Sequence, residues 1–206
     1  MTRTAIRRFA ATASANTDGA AVVEFALILP LMLTMYYGLV AITPGFDLDR
    51  KLMTASRTAA DLTARAATMS CSDITATFGT AAAMLQPNNP AGLTLAVANV
   101  AVTNISTTST PNLQAKVQWS QARAVTNSAG TQTVATLPTG WAAGAVISPI
   151  PGGFAVAGSS FVMASVAKDY VPGLATRLIG TVRLAHVLNW PARNATATSW
   201  TGTTSC

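Results

Sequence analysis

Glu24 is the one charge inside a run of apolar residues that extends from Ala20 to Thr43. An ionised carboxylate in a membrane-spanning helix costs on the order of 2.5 to 3.5 kcal/mol, less near the interface, so its presence asks for a cationic partner. The neutral reading is a glutamate that snorkels to the nearest aqueous boundary and does nothing further. Cys71 and Cys206 are the only two cysteines. Outside the cytoplasm such a pair reads as a disulfide, and closing so long a loop contributes on the order of 4 to 5 kcal/mol in the chain-entropy treatment. It would tie the C-terminal tail, residues 194–205, back to the helices. Two free thiols, or a bond between subunits, are the alternatives.

Catalytic chemistry finds little to stand on. The single histidine, His186, shares a strand face with Val182, Leu184 and Leu188, which reads as a satisfied core histidine before a ligand or a base. With no second histidine, no CxxC pair and no clustered carboxylates, the sequence offers no metal site. Nor does it contain a nucleophile elbow, a phosphate loop or paired acids. The expectation is a protein that is not an enzyme, with no cofactor and no small-molecule substrate. The net charge is +6 and falls to +4 without residues 1–19, which carry three arginines and Asp18. The remaining basic residues are scattered, so no nucleic acid partner is expected.

The element that must hold Glu24 is the apolar run itself. At about 1.5 Å per residue, Ala20 to Thr43 is long enough to cross a hydrocarbon core of about 30 Å as a helix. A soluble core helix would carry a polar face, which this run lacks. Arg3, Arg7 and Arg8 precede it, whereas the first basic residues after it are Arg50 and Lys51, beyond an acid-bearing turn. That asymmetry puts the N-terminus in the cytoplasm and the remainder outside. A cleaved secretory signal would end in its small residues. Here they come before the apolar run.

The stretch Gly19-Ala20-Ala21-Val22-Val23-Glu24-Phe25-Ala26-Leu27-Ile28-Leu29-Pro30 resembles the processing signature of type IV prepilins, and more closely the opening of TadE-like minor pilins (pseudopilins) of tight-adherence pilus systems. Glycine, the acid at the fifth mature position, the aromatic after it and the proline all fall in register. The resemblance implies cleavage between Gly19 and Ala20 by a prepilin peptidase, an assembly role for Glu24 and Phe25, and a mature chain that begins with the hydrophobic helix. It also implies other pilin subunits and a pilus assembly platform as partners. After cleavage the new amine of Ala20 lies about 6 Å along the helix from Glu24. In a staggered filament the amine of one subunit can meet the glutamate of its neighbour, coupling packing to neutralisation.

The organisation that follows is a cytoplasmic leader over 1–19, a transmembrane helix over 20–43, and a periplasmic or extracellular α+β domain over 44–206. Localisation is the inner membrane, single-pass, extending to a place in or at the tip of a pilus. The alternative is a membrane-anchored periplasmic binding or scaffold module that is never cleaved. Pro30 leaves the carbonyl of Ala26 without its donor and should loosen or kink the helix. Tyr36 and Tyr37 fit an interfacial aromatic belt. Thr43-Pro44-Gly45 reads as a break, with Asp47 capping a second helix. Its seam is Leu48, Leu52, Ala55, Ala59, Leu62, Ala66 and Met69, most simply laid on the protein's own sheet. Asp47 with Lys51, Arg57 with Asp61, and Asp61 with Arg65 are spaced to pair.

Ser72 reads as the cap of a further helix burying Ile74, Phe78, Ala82 and Leu85, ended by the turn 86–90. Alternation then indicates strands. Leu93, Leu95 and Val97 change phase to Val100 and Val102 across a bulge near Asn99, and Leu113, Ala115, Val117 and Trp119 form a half-exposed strand. A Ser/Thr-rich hairpin loop over 106–110 joins these two. Two more strands are expected over 161–168 and 182–188. Residues 126–160 either hold short strands or form an exposed functional loop, with Trp141 and the turn 149–153 as its notable features. The fold class is α+β: a long N-terminal transmembrane helix with a broken continuation, packed against a small antiparallel sheet of about four strands.

Overall fold

The computed structural model describes residues 18–106, 111–173, 176, 180–193 and 198–202. The expected leader apart from Asp18 and Gly19, most of the expected hairpin loop 106–110, much of the tail and Cys206 lie outside the described residues.

Helix α1 (Asp18–Arg65) runs for 48 residues through both Pro30 and Pro44. At 1.5 Å per residue it is about 72 Å long. The expected break at Thr43-Pro44-Gly45 is therefore corrected: the membrane-type segment and its continuation are one helix. Asp47 is consequently an interior residue rather than a cap, bonded to Lys51 at 2.9 Å. The first half of α1 is exposed along its length, whereas Leu48, Leu52, Ala55, Ser56, Ala59, Ala60, Thr63 and Ala64 are buried in the second half. These mostly small side chains let the helix backbone approach the sheet closely. The hydroxyls among them are satisfied within the helix, Thr63 Oγ1 donating to Ala59 O at 2.8 Å and Ser56 Oγ to Met53 O at 2.9 Å.

After α1 come β1 (Thr68–Met69), α2 (Cys71–Ala83), β2 (Thr94–Asn104), β3 (Leu113–Val125), β4 (Gln132–Val134), β5 (Val146–Ile147), β6 (Ser160–Tyr170), β7 (Val182–Pro191) and β8 (Ser199–Trp200). The cap of α2 is Ser70, not Ser72. Asp73 returns to the Ser70 backbone N–H at 2.9 Å, a capping box that the Ser-x-x-Asp spacing spells out. The predicted apolar face is as expected, with Ile74, Phe78, Ala82 and Leu85 buried.

The main sheet is antiparallel in the order β4-β3-β2-β6-β7, with β5 also paired to β3. It has six strands rather than about four. The four long ones are those the alternation indicates, and the additional two, β4 and β5, come from the Gly/Pro-rich segment 126–160, too short to show a period. The expected irregularity lies between Asn99 and Val100, where the pairing register skips Gln118. The extra residue is thus on β3, and it moves Trp119 to the face opposite Leu113, Ala115 and Val117.

Two cores result. On one face α1 and α2 cover Leu95, Val97, Trp119, Ala164 and Val166. On the other, Val100, Val117, Phe161 and Met163 are covered by Trp141, Leu137, Ile147, Ile150 and Phe154 from the segment 126–160. That segment is accordingly the third layer of the head, and Trp141, buried in it, is a packing anchor.

The C-terminal segment closes the end of α1. Helix carbonyls in the last turn have no intrahelical donor. Here Arg193 N–H donates to Ala64 O at 3.0 Å, and just past the helix Thr198 Oγ1 donates to Ala66 O at 2.9 Å. Thr198 O accepts from Trp119 Nε1 at 2.7 Å, β8 pairs in parallel with β1, and Trp200 stacks on Trp119 at 5.3 Å between ring centroids.

Candidate functional site

The residues singled out by sequence lie along the exposed first half of α1. Gly19 and Ala20 stand at its start, with Glu24 one turn on and Phe25 beside it, 59% exposed. Among the described residues they stay exposed, with none of them in either core. The most apolar 18-residue window of this helix has a mean hydropathy of 2.1 and none of it is buried, the reverse of a soluble core helix. The two threonines of this half donate within the helix, Thr34 Oγ1 to Leu31 O at 2.8 Å and Thr43 Oγ1 to Leu39 O at 2.9 Å, which lowers the cost of placing them in an apolar medium.

A second constellation joins the apolar half of α1 to the head. Pro44 has no N–H, so the carbonyl of Val40 loses its helical donor. At the neighbouring carbonyl the head supplies one, because Tyr170 at the end of β6 donates its hydroxyl to Ala41 O at 2.7 Å. Gly45 makes room for the ring: a Cβ there would lie 3.1 Å from Tyr170 Cε1. One turn further, Asp49 Oδ1 meets His186 Nε2 at 2.7 Å. His186 does lie on the helix-facing side of β7, between the half-buried Leu184 and Leu188, and Asp49 is its partner. Pro44-Gly45 is a docking point rather than a break.

Several charged groups of the packed half and the head are held in local pairs. Asp61 is held below the usual carboxylate pKa first by its hydrogen bond from Arg65, then by the charge of Arg193 and the Trp190 indole, against the opposing effect of burial. The two arginines approach at 2.7 Å and 3.1 Å, and among the described residues Arg57 makes no ion pair with Asp61. Asp73 is lowered by the Ser70 hydroxyl and then the Ser70 backbone N–H, and Asp47 by its hydrogen bond from Lys51. Burial lowers the pKa of Lys168, whose ammonium donates to Ala91 O. Among the described residues no group of three or more His, Cys, Asp or Glu converges to hold a metal. Cys71 opens α2 beside Gly202, while its expected partner Cys206 lies outside the described residues.

Exposed apolar helix and packed α+β head together define a protein with a candidate membrane anchor at its N-terminal end. Residues 19–61 match the model of a family described as TadE-like protein, the family that Gly19–Pro30 resembles. The match takes in the whole apolar half of α1 and most of its packed half, and ends before β1. No curated protein and no solved structure matches the chain.

Proposed function

We propose that this chain is a minor pilin of a tight-adherence pilus: a structural subunit, not a catalyst, cut between Gly19 and Ala20 by a prepilin peptidase. The observation that carries the reading is the register Gly19-Ala20, Glu24-Phe25, Pro30 at the start of a helix whose most apolar 18-residue window contains no buried residue. A helix so exposed needs lipid or other helices around it. The partners that follow are the inner membrane, other pilin subunits and the assembly platform. The arginine-rich leader faces the cytoplasm and the α+β head faces outward. Cys71 and Cys206 pair within the chain, which suits a head folded outside the cytoplasm.

Mass spectrometry of the protein from its host tests this directly. The expected mature chain begins at Ala20. A chain that retains Arg3, Arg7 and Arg8 would overturn the reading in favour of an uncleaved, membrane-anchored module.

A further inference from the structure

We infer that the head rests on the outer leaflet and that the cleft between α1 and the β6–β7 end of the sheet holds a lipid acyl chain. The inference rests on α1 being a membrane span. The cleft, about 360 Å³, is lined chiefly by Ala41, Ile42 and Phe46 of α1 and by Tyr170, Val182 and Leu184 of the sheet, and the one carboxylate on its wall, Asp49, is engaged by His186. Counting about 1.5 Å per residue from Ala20, Ala41 stands about 32 Å along the helix and Phe46 about 39 Å. A bilayer has a hydrocarbon core of about 30 Å and a total thickness of about 40 to 45 Å, so these residues traverse its outer boundary.

Three observations fix the occupant. The cleft is continuous with the exposed apolar surface of α1, because Ile42, half exposed, belongs to both. Around it the head turns apolar side chains outward where a water-facing surface would be polar: Phe46 is 66% exposed, Val171 55% and Val182 38%. Arg50 lies one turn beyond Phe46 on the same face of the helix, where the two border a second depression with Thr43 and Asp47. An apolar lip with a cation one turn above it matches acyl chains beneath a layer of phosphates, and an arginine there can reach down to the headgroups.

The test uses the full-length chain in vesicles of phosphatidylethanolamine and phosphatidylglycerol, carrying a photoreactive benzoylphenylalanine at one position at a time. Phe25 reports on the span, Phe46 and Val171 on the cleft rim, and Val187, exposed on the other face of β7, on the rest of the head. The expected result is lipid adducts at Phe25, Phe46 and Val171 and their loss at Val187. Adducts at Phe25 alone would overturn the inference while leaving the span intact. Adducts from Phe46 and Val171 to a second polypeptide would overturn it in favour of a protein interface. Absence of lipid adducts at Phe25 would remove the span reading and the inference with it.

Discussion

The hydroxyl of Tyr170 donates to the backbone carbonyl of Ala41 at 2.7 Å, across the turn where Pro44 interrupts the helical ladder. The head therefore grips α1 beside the second of its two prolines. Tyr170→Phe removes one hydrogen bond, for an expected loss of about 0.5 to 1.5 kcal/mol. Gly45→Leu places a Cβ 3.1 Å from the ring and forces it off the Ala41 carbonyl, for an expected loss of about 1 to 3 kcal/mol. Denaturant unfolding of the detergent-solubilised protein reads both, and equal stability in all three proteins would show that the grip contributes nothing.

Asp49 and His186 form the second grip, and their contribution is separable. A double-mutant cycle with Asp49→Ala and His186→Ala should return a coupling of about 1 kcal/mol, the usual net value of a hydrogen bond. Additive losses would mean that the 2.7 Å contact does not stabilise the folded head.

In a membrane-spanning helix Glu24 would cost insertion energy unless a cation lay nearby. Glu24→Ala should leave the chain in the membrane fraction and deplete it from sheared pili. Undiminished incorporation into pili would separate the carboxylate from assembly.

Acid should loosen the end of α1. The folded pKa of Asp61 lies below its ordinary value of 3.8, so its ionised form contributes stability above that value. The contribution is lost as pH falls from 3.8 through the lower folded value. Compared with wild type, Asp61→Asn should be less stable at neutral pH, with a difference that shrinks below 3.8. Following the unfolding midpoint against pH checks this, and a constant difference would exclude the linkage.

If Cys71 and Cys206 are paired, alkylating reagent adds no mass to the native protein until a reductant is present. In the chain-entropy treatment, reduction then lowers stability by about 4 to 5 kcal/mol. Immediate labelling of both thiols would rule the pair out.

Features that repeat along the chain are legible in it. Leu48, Leu52, Ala55 and Ala59 are buried as their spacing indicates, and the four long strands sit where alternation places them. The seam fails at Leu62, which is 38% exposed, while Ala60, Thr63 and Ala64 are buried instead. A strict alternation of threes and fours drifts off the face of a 3.6-residue helix. Pro44-Gly45 reads as a break because local propensity favours one. What overrides it is Tyr170, 129 positions away from Ala41. The processing register at Gly19, Glu24 and Phe25 is local and visible at once. The cleft is not, since Ala41 and Val182 meet only through the fold, and the capping role of Thr198 is hidden for the same reason.

One uninterrupted helix from Asp18 to Arg65 leaves no swivel between its exposed apolar half and its packed half. From the Tyr170 contact at Ala41 down to Glu24 is about 26 Å of helix, a lever arm for any tug on the head. A sideways pull on the head would reach that carboxylate as a tilt.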